Sequence, residues 1–385
     1  MRPVIVHISN DYPDPLQPDK TLAIRNLVEA TPEFRHVVYS LNRVNGLGGI
    51  TSIPFGEDRT AVAYGALPKG LFWERRLEAV ADWISADMKQ KNIVPDLIEA
   101  HKITVEGIIG QKLAAEYNCK LVCDIQGGSD YKLLKFKRNL WKRFGEIAKA
   151  STLIFPYAPW VVPHFEKAVG LDPSKCRNLP VLPGFDALSS SSVSSAPRLI
   201  TLLRFSDRKN KNIASTIAAV NQLAAKYPAI TLDIYGGGGA KDLMELRKVI
   251  DNDNIDGRIN FKGPIANNVL TQIMGQYSAL VMPSFTETYG LVYAEALFCG
   301  VPVLFTKGQA IDGYFDTTKI GYACNPASVE DIAAGIEHLL KNEAELKRNI
   351  AQMQASGALD FIRRKDIIDT YRNELLKLLP SSAAQ

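Results

Sequence analysis

The stretch Ala279–Leu304, ALVMPSFTETYGLVYAEALFCGVPVL, carries the strongest structural signal in the 385-residue chain. An apolar run ends at Pro283, a polar loop follows, and Gly290 opens an apolar segment of helical character. A second apolar run begins at Pro302. The order strand, loop, helix, strand is typical of a parallel α/β unit, in which the loops at the carboxyl ends of the strands bind ligands.

Two glutamates flank the predicted start of this helix. Glu287 lies in the loop, and Glu295 lies about one turn inside the helix. The amides at a helix N-terminus attract anions, and a glycine lets the backbone approach closely, so we expect a diphosphate at the amides of Gly290 and Leu291. Carboxylates repel phosphate, and both glutamates are therefore expected to accept hydrogen bonds from sugar and ribose hydroxyls.

The alternation of apolar runs and amphipathic segments extends through the rest of the chain. It runs from Val4 to Phe155 and again from Leu199 to Phe305, and the serine-rich stretch Ser189–Ser195 separates the two parts as an exposed link. This pattern predicts an α/β fold with two Rossmann-like, doubly wound domains that face a cleft. The predicted domains are residues 1–187 and 198–357, followed by a C-terminal helical segment at 358–385.

Bulk composition limits the classes of function. The net charge is +4, with 46% apolar and 22% charged residues, which is typical of a globular protein and argues against a dedicated nucleic-acid binder. The five cysteines show no zinc-ligand spacing and are interpreted as reduced thiols. The N-terminus lacks the apolar core of a signal peptide, and we expect a cytoplasmic protein that attaches peripherally to the inner face of the membrane.

The two glutamates and their surroundings resemble the Glu-x7-Glu motif of family 4 glycosyltransferases, which have the GT-B fold. The residues Tyr289-Gly290-Leu291 share the pattern that this family has before the second glutamate. The resemblance implies that Glu287 contacts the donor sugar and that Glu295 contacts the ribose. It also implies that Gly290 and Leu291 offer amides to the diphosphate, with Tyr289 at the donor site.

Three further segments of the second half resemble family motifs around the donor. Arg204 and Lys209 have the spacing of the family's Arg and Lys, which would stabilise the departing diphosphate. Leu203 replaces the usual glycine, and Lys211 offers a rival alignment two residues along. The remaining candidates for donor binding are Gly236, in a glycine cluster that a flexible turn explains equally well, and Lys262.

The first half departs from the family pattern. Gln126 stands where the family often has a histidine, with Asp130 four residues later. Glutamine can donate to a phosphate or sugar hydroxyl but cannot carry charge, so the histidine's role is in doubt. His101 resembles a family histidine at the end of the preceding strand, although a hydrogen-bonded loop histidine is an alternative. We expect these three residues on the acceptor side, and His7, His36, His164 and His338 are interpreted as structural.

A basic amphipathic stretch, Tyr131–Phe144, follows Asp130. Its apolar residues fall on one stripe of a single predicted helix, which favours either an anionic membrane surface or ordinary packing on the sheet with exposed lysine ends. The residues predicted to contact the membrane are Lys132, Lys135, Phe136, Lys137, Arg138, Trp141, Lys142 and Arg143.

Taken with the resemblance, these features predict a retaining, metal-independent hexosyltransferase without a cofactor. It would move a sugar from a UDP- or GDP-linked donor to a glycan or lipid-linked acceptor in polysaccharide or glycolipid synthesis, with no nucleic acid as partner. The family also implies that the last helix crosses back to the first domain. A sugar-nucleotide epimerase and a non-catalytic nucleotide-sugar-binding subunit remain as alternatives. No Gly-x-Gly-x-x-Gly follows the first predicted strand, which disfavours a nicotinamide dehydrogenase.

Overall fold

The computed structural model describes residues 2–46, 48–67, 72–253 and 257–379. These residues form two compact units. The first runs through Tyr157 and includes Val161–Leu182 and the chain from Lys365 onward, whereas the second comprises Ala158–Trp160 and Pro183–Arg364. The last six residues of the segment predicted at 358–385 lie outside the described residues.

The described part of the first unit contains a seven-stranded sheet. Its strands are β1 Val4–Ser9, β2 Arg35–Asn45, β3 Thr51–Pro54, β4 Arg59–Ala66, β5 Leu97–Ala100, β6 Lys120–Ile125 and β7 Leu153–Pro156. They lie in the order β3-β4-β2-β1-β5-β6-β7, and every pair is parallel except β3–β4. The helices before Leu182 are α1 Ala23–Glu29, α2 Trp73–Gln90, α3 Glu106–Tyr117, α4 Gly128–Phe136, α5 Trp141–Ala150 and α6 Val162–Val169.

The described part of the second unit contains a six-stranded sheet that is parallel throughout. Its strands are β8 Arg198–Arg204, β9 Thr231–Gly237, β10 Ile259–Gly263, β11 Ala279–Val281, β12 Val303–Thr306 and β13 Gly321–Cys324, in the order β10-β9-β8-β11-β12-β13. Its helices are α7 Ile213–Leu223, α8 Ala240–Asp253, α9 Asn267–Met274, α10 Leu291–Phe298, α11 Thr317–Ile320, α12 Val329–Lys341 and α13 Glu343–Ala355. Central strands such as β11 and β12 are buried along their whole length, which explains their continuous apolar runs.

The last helix, α14 Arg364–Leu378, belongs to the first unit from Lys365 onward. Its residues Ile367, Tyr371 and Leu375 are buried in the apolar cluster formed by the strands of that unit. The Tyr371 hydroxyl donates a hydrogen bond of 2.5 Å to the Glu99 carboxylate on β5. The helix therefore completes the core of the first unit by both apolar and polar contacts.

Two features differ from the sequence-based expectations. The antiparallel hairpin of β3 and β4 was not predicted, because β3 is exposed and short. The serine stretch is largely exposed, as predicted, but hydrogen bonds also attach it to the rest of the second unit, which was not predicted. The Ser189 amide donates to the Phe298 carbonyl at 2.8 Å, the Ser191 hydroxyl donates to the Gly300 carbonyl at 2.5 Å, and Lys347 donates to the Ser192 carbonyl at 2.6 Å.

None of the helices in the described ranges is both long and apolar enough to cross a membrane.

Candidate functional site

The loop that follows β11 is hydrogen-bonded to the turn that follows β8. The carbonyl of Asn210 accepts a hydrogen bond from the Phe285 amide at 2.7 Å. The Asn210 side chain accepts from the Thr286 amide at 3.1 Å and donates to the Thr286 carbonyl at 2.9 Å. One asparagine thus holds two loops in a fixed register at the carboxyl ends of neighbouring strands.

Two more side chains hold the same loop from other directions. Gln309 accepts from the Glu287 amide at 2.7 Å and donates to the Phe285 carbonyl at 3.0 Å. The indole of Trp160 donates to the Thr288 carbonyl at 3.0 Å. Neither residue was predicted, since Trp160 lies 128 positions before Thr288 in the chain and neither residue belongs to a recognisable motif. The backbone around Glu287 is therefore fixed on several sides.

The carboxylate of Glu287 forms an ion pair with Lys211, with 2.5 Å between Oε2 and Nζ. Both side chains are largely buried, at 15% and 17% exposed. Arg204 and Lys209, the cations predicted for this site, are exposed on the same segment. The structure thus places Lys211, the rival in the sequence alignment, against the glutamate, and the roles of Arg204 and Lys209 stay predictions.

The start of α10 requires the glycine that precedes it. Gly290 has a φ of +73°, a conformation that side chains disfavour. A Cβ at this position would lie 2.4 Å from the Tyr293 ring and 3.1 Å from Glu287 Cγ. The Tyr293 hydroxyl in turn donates to the Met282 carbonyl at 2.6 Å, so the ring cannot move away without losing a buried hydrogen bond. The first amides of α10 therefore lie next to Glu287 with no side chain in between.

Glu295 is almost completely buried on the first turns of α10. Its Oε1 accepts a hydrogen bond from the Gly184 amide at 3.1 Å. Burial raises the pKa of this carboxyl group to about 7, because the low-dielectric surroundings disfavour the charge. A partner that donates hydrogen bonds to Glu295 would stabilise its ionised form.

The structure gives less direct evidence for the three other residues predicted at the donor site. Tyr289 is buried, and its hydroxyl has no hydrogen-bond partner in the described chain. Gly236 lies where β9 meets β8, and a Cβ there would be 1.8 Å from the Leu203 carbonyl oxygen, which explains the glycine by packing. Lys262 is partly exposed, and its Nζ lies 3.8 Å from the Asp233 carboxylate.

The interior of the first unit contains a chain of three hydrogen-bonded histidines. His36 Nε2 lies 2.8 Å from the Thr31 carbonyl, which only accepts, so that nitrogen carries a proton. His36 Nδ1 therefore accepts a hydrogen bond from His7 Nε2 at 2.8 Å. At the other end of the histidine chain, His101 Nδ1 donates to the Asp124 carboxylate at 2.7 Å. His7 Nδ1 and His101 Nε2, 3.0 Å apart, share one proton. The three rings therefore carry one positive charge in total.

Carboxylates balance this buried charge. Burial alone would lower the pKa of His101, but the carboxylates of Asp124 and Glu99 raise it to about 9. The ligand atoms of His7, Glu99 and His101 lie within 4.8 Å of one another, close enough for a metal ion, yet each ring nitrogen already has a hydrogen-bond partner. His101 is fully buried, so the predicted acceptor contact was wrong: the side chain positions β5 and β6 instead.

Asp130 and Gln126 also have structural roles at the end of β6. Asp130 is fully buried and accepts hydrogen bonds from the Gln126 amide at 2.8 Å and from the Thr104 hydroxyl at 2.5 Å. It joins the loops that follow β5 and β6, and its carboxylate has no surface for a ligand. The prediction of a direct acceptor contact is therefore corrected for Asp130, whereas the Gln126 side chain is partly exposed and stays a candidate.

A cavity of about 460 Å³ lies in the first unit at the carboxyl ends of β1, β2 and β4. Its walls combine apolar and aromatic side chains with two amides and two cations, and no carboxylate is among the described residues that line it. The lining residues are Asn10, Gln17, Leu41, Arg43, Tyr64, Trp73, Val105, Leu133 and Lys137. This cavity was not predicted, because its walls come from segments far apart in the chain.

The basic stretch is not one continuous helix. α4 ends at Phe136, a 3₁₀ turn follows, and α5 begins at Trp141. The predicted apolar stripe is therefore broken: Phe144 is fully buried, whereas Phe136 is 76% exposed. Arg143 was also wrongly predicted to contact the membrane, since its guanidinium lies 3.1 Å from Glu74 and donates to Gln111 at 2.6 Å. The strongly exposed residues that remain are Lys132, Lys135, Phe136, Arg138 and Lys142.

The loop and helix around Glu287 and Glu295 belong to the segment 193–356, which matches the family model described as glycosyl transferases group 1. This segment is a group 1 glycosyltransferase domain. The chain is similar to the GtfA subunit of UDP-N-acetylglucosamine–peptide N-acetylglucosaminyltransferase of Streptococcus pneumoniae, with 31% identity over 204 residues, which are 50% of this chain and 38% of that protein. The chain spans less than half the length of the curated relatives it matches.

Solved structures agree with the group 1 assignment at the level of the fold. Sucrose-phosphate synthase from Thermosynechococcus elongatus aligns with a TM-score of 0.71 at 17% identity, over 98% of this chain and 99% of that one. Anabaena Alr3699/HepE in complex with UDP aligns with a TM-score of 0.68 at 16% identity, over 98% and 100%. The predicted fold class, two α/β units of the GT-B type, is confirmed.

Proposed function

We propose that the protein is a retaining glycosyltransferase that moves a sugar from a UDP- or GDP-linked donor to a glycan or lipid-linked acceptor, in polysaccharide or glycolipid synthesis. The observation that carries the proposal is the Glu287–Lys211 pair beside the open N-terminus of α10. This arrangement offers a carboxylate to hydroxyl groups and, next to it, amides and a cation to phosphates. A sugar joined to a diphosphate requires that combination.

Each group has a defined task in the proposed reaction. The amides of Gly290 and Leu291 hold the diphosphate, and Glu287 and Glu295 accept hydrogen bonds from the sugar and the ribose. Arg204, Lys209 and Lys211 stabilise the negative charge that develops when the bond between the sugar and the phosphate oxygen breaks. The acceptor oxygen attacks on the same face, and its proton passes to the departing phosphate oxygen.

UDP-sugars are the first donors to test. The GtfA relative is named for UDP-N-acetylglucosamine, and Alr3699/HepE was solved with UDP. Since protein cations and helix amides supply the positive charge, we propose that the reaction needs no metal and no cofactor. Activity that persists in EDTA would support this part, and activity restored only by a divalent cation would contradict it.

The central experiment measures binding and turnover of a panel of UDP-, GDP- and ADP-sugars by the wild type and by Glu295→Ala. We expect one donor to bind and to be slowly hydrolysed, and the variant to bind it at least tenfold more weakly. Conversion of the free donor into an epimer without an acceptor would favour an isomerase. Binding without any turnover, with acceptor extracts present, would favour a non-catalytic subunit.

We further propose that the exposed basic surface made by Lys132, Lys135, Phe136, Arg138 and Lys142 binds anionic membranes. Each basic residue near such a surface contributes about 1 kcal/mol. Sedimentation with vesicles should therefore be strong for phosphatidylserine-containing lipid and weak for pure phosphatidylcholine. Replacing these four cations with glutamine should abolish it, whereas the same change at Lys149 and Lys167, exposed elsewhere in the first unit, should not. Equal sedimentation of all variants would contradict the membrane contact.

A further inference from the structure

The loop between β11 and α10 is buried at its two ends and exposed in its middle. Ser284 and Tyr289 are buried. Between them, Phe285 is 46% exposed, and the side chain of Thr286 is exposed as well. The middle of the loop, which carries Glu287, therefore gains little from apolar burial. Its position depends on the polar contacts of its backbone.

The side chain of Asn210 supplies one set of these contacts and uses both ends of its amide group. Its oxygen accepts a hydrogen bond from the Thr286 amide at 3.1 Å, and its nitrogen donates to the Thr286 carbonyl at 2.9 Å. A neighbouring antiparallel strand pairs with both backbone groups of one residue in the same way. Because β11 ends at Val281, the asparagine takes the place of a strand where the sheet has ended.

The side chain of Gln309, in the loop after β12, supplies the second set. Its oxygen accepts a hydrogen bond from the Glu287 amide at 2.7 Å, and its nitrogen donates to the Phe285 carbonyl at 3.0 Å. Together the two side chains bind backbone groups of three consecutive residues. Each of them both donates and accepts, which a carboxylate of the same shape cannot do when it is ionised.

The carboxylate of Glu287 is oriented by other groups than its backbone. Its Oε2 lies 2.5 Å from Lys211 Nζ, and its Oε1 accepts a hydrogen bond from the Thr288 amide at 3.2 Å. These contacts set the direction of the carboxylate, whereas the two side-chain amides set the position of the backbone that carries it. Both matter for a contact with one sugar hydroxyl, because a hydrogen bond weakens steeply when donor and acceptor are misaligned.

We propose that Asn210 and Gln309 are positioning residues, which hold the exposed part of the loop so that Glu287 meets the sugar of the donor. The inference rests on the proposed function and names two residues on which its sugar contact depends. They act through Glu287, so their loss weakens the contact with the sugar and leaves the contacts with the diphosphate and the ribose in place. Both side chains are only partly buried, so water can hydrate the backbone groups that they leave, and the fold persists without them.

Calorimetric titration of the full chain separates these contacts. The probes are the donor that binds most tightly in the panel of UDP-, GDP- and ADP-sugars and the same nucleoside diphosphate without its sugar. Asn210→Ala and Gln309→Met should each bind the donor about tenfold more weakly and the nucleoside diphosphate as the wild type does. The kcat of donor hydrolysis should fall by roughly 10²-fold, the usual loss for a small misplacement at a reacting centre.

The matched control is Gln111→Met on α3 of the first unit. It removes an amide that donates to a backbone carbonyl, that of Glu146 at 3.1 Å, far from this loop in the sequence. This variant should keep the wild-type kcat and the wild-type affinity for both probes. A loss equal to that of Gln309→Met would show that the effect is not specific to the loop, and it would overturn the proposal.

Two further comparisons distinguish positioning from a general structural role. Asn210→Asp and Gln309→Glu keep the shape but cannot donate, so they should lose the preference for the donor over the nucleoside diphosphate as fully as the truncated variants do. In Glu287→Ala, the additional change Gln309→Met should not lower this preference further, because the residue through which Gln309 acts is gone. Additive losses, or equal weakening of both probes, would contradict positioning through Glu287.

The wild type separates a failure of this inference from a failure of the proposed function. If the wild type turns over the donor and the variants of Asn210 and Gln309 match it, the inference fails alone. If it binds the donor and never turns it over, even with acceptor extracts present, the transferase function fails, whereas the preference for the donor still tests the positioning. If it binds no sugar nucleotide, both are overturned. Binding of the nucleoside diphosphate by each variant shows that the second unit is folded.

Discussion

The Lys211 ammonium group lies 2.5 Å from the Glu287 carboxylate and joins the turn after β8 to the loop after β11. This pair determines where the carboxylate points before a donor arrives. It also keeps a cation next to the amides of α10. A change at Lys211 should therefore affect the reaction through both the sugar and the phosphate.

We expect Lys211→Met to reduce kcat by roughly 10²–10³-fold, the usual loss for one group that stabilises a developing charge. The donor KM should change much less. Lys211→Arg should recover part of the rate, because the charge returns with a different shape. Lys248→Met, which removes an exposed cation of α8, is the control for charge alone. A wild-type kcat in Lys211→Met would rule out this role.

Gly290→Ala should destabilise the second unit and abolish donor binding. The new methyl group meets the Tyr293 ring in a left-handed backbone, and we expect a loss of about 2–5 kcal/mol in the free energy of unfolding. Gly308→Ala is the matched control, since Gly308 has the same φ of +73° and no atom within 4 Å of its added Cβ. It should cost about 1 kcal/mol. Urea unfolding compares the two, and similar losses would show that the contact with Tyr293 is unimportant.

Donor affinity should rise with pH around neutrality because of Glu295. Its pKa is raised to about 7 in the free protein, so the carboxyl group is mostly protonated at pH 6 and mostly ionised at pH 8. The ribose hydroxyls bind the ionised form better, and affinity should increase several-fold across that interval, by roughly one factor of ten per pH unit at most. Calorimetry should use an intact UDP-sugar, because the terminal phosphate of UDP itself titrates near pH 6.

In Glu295→Gln the pH dependence of donor affinity should be flat and the affinity lower at pH 8. Any slope that remains in this variant would have to come from another group, and an equal slope in both proteins would exclude Glu295 as its origin.

The histidine chain should make the first unit less stable in alkaline solution. The pKa of His101 is raised from 6.5 to about 9 in the folded protein, so its contribution is complete below pH 6.5 and is lost as the pH rises through 9. The loss is of the order of 3 kcal/mol. Urea unfolding at pH 6.5 and pH 9 measures it for the wild type and for His101→Asn, in which the difference should shrink. His164→Asn, at an exposed histidine of the same unit, should keep the wild-type difference.

The strand–helix order of both units could be predicted because buried parallel strands such as β12 are continuous apolar runs. The region around Gly290 could be predicted because a short local pattern encodes a strand end, a loop and a helix start. Glu287 and Glu295 were selected as candidate site residues for the same reason. The hairpin of β3 and β4 could not be predicted, because β3 is a short, exposed edge strand without an apolar pattern.

The residues that fix the loop of the candidate site could not be predicted from local sequence patterns. Trp160 and Gln309 act on a loop far away in sequence, and only the folded chain shows that they meet it. His101 was expected on the acceptor side because the sequence does not reveal that His7 lies against it. Lys211 and Lys209 were both reasonable by spacing, and the turn after β8 determines which one faces the glutamate.

Because helix α14 belongs to the first unit, that unit is synthesised in two parts separated by the second unit. On the ribosome, the strands β1–β7 emerge first, but the helix that supplies Ile367 and Tyr371 emerges only after all of Pro183–Arg364. At 5–20 residues per second this interval lasts roughly 10–40 s. During it, the carboxylate of Glu99 lacks its tyrosine, and the part of the apolar cluster that α14 covers stays without that cover. The second unit, nearly continuous in sequence, can therefore finish folding before the unit that was synthesised first.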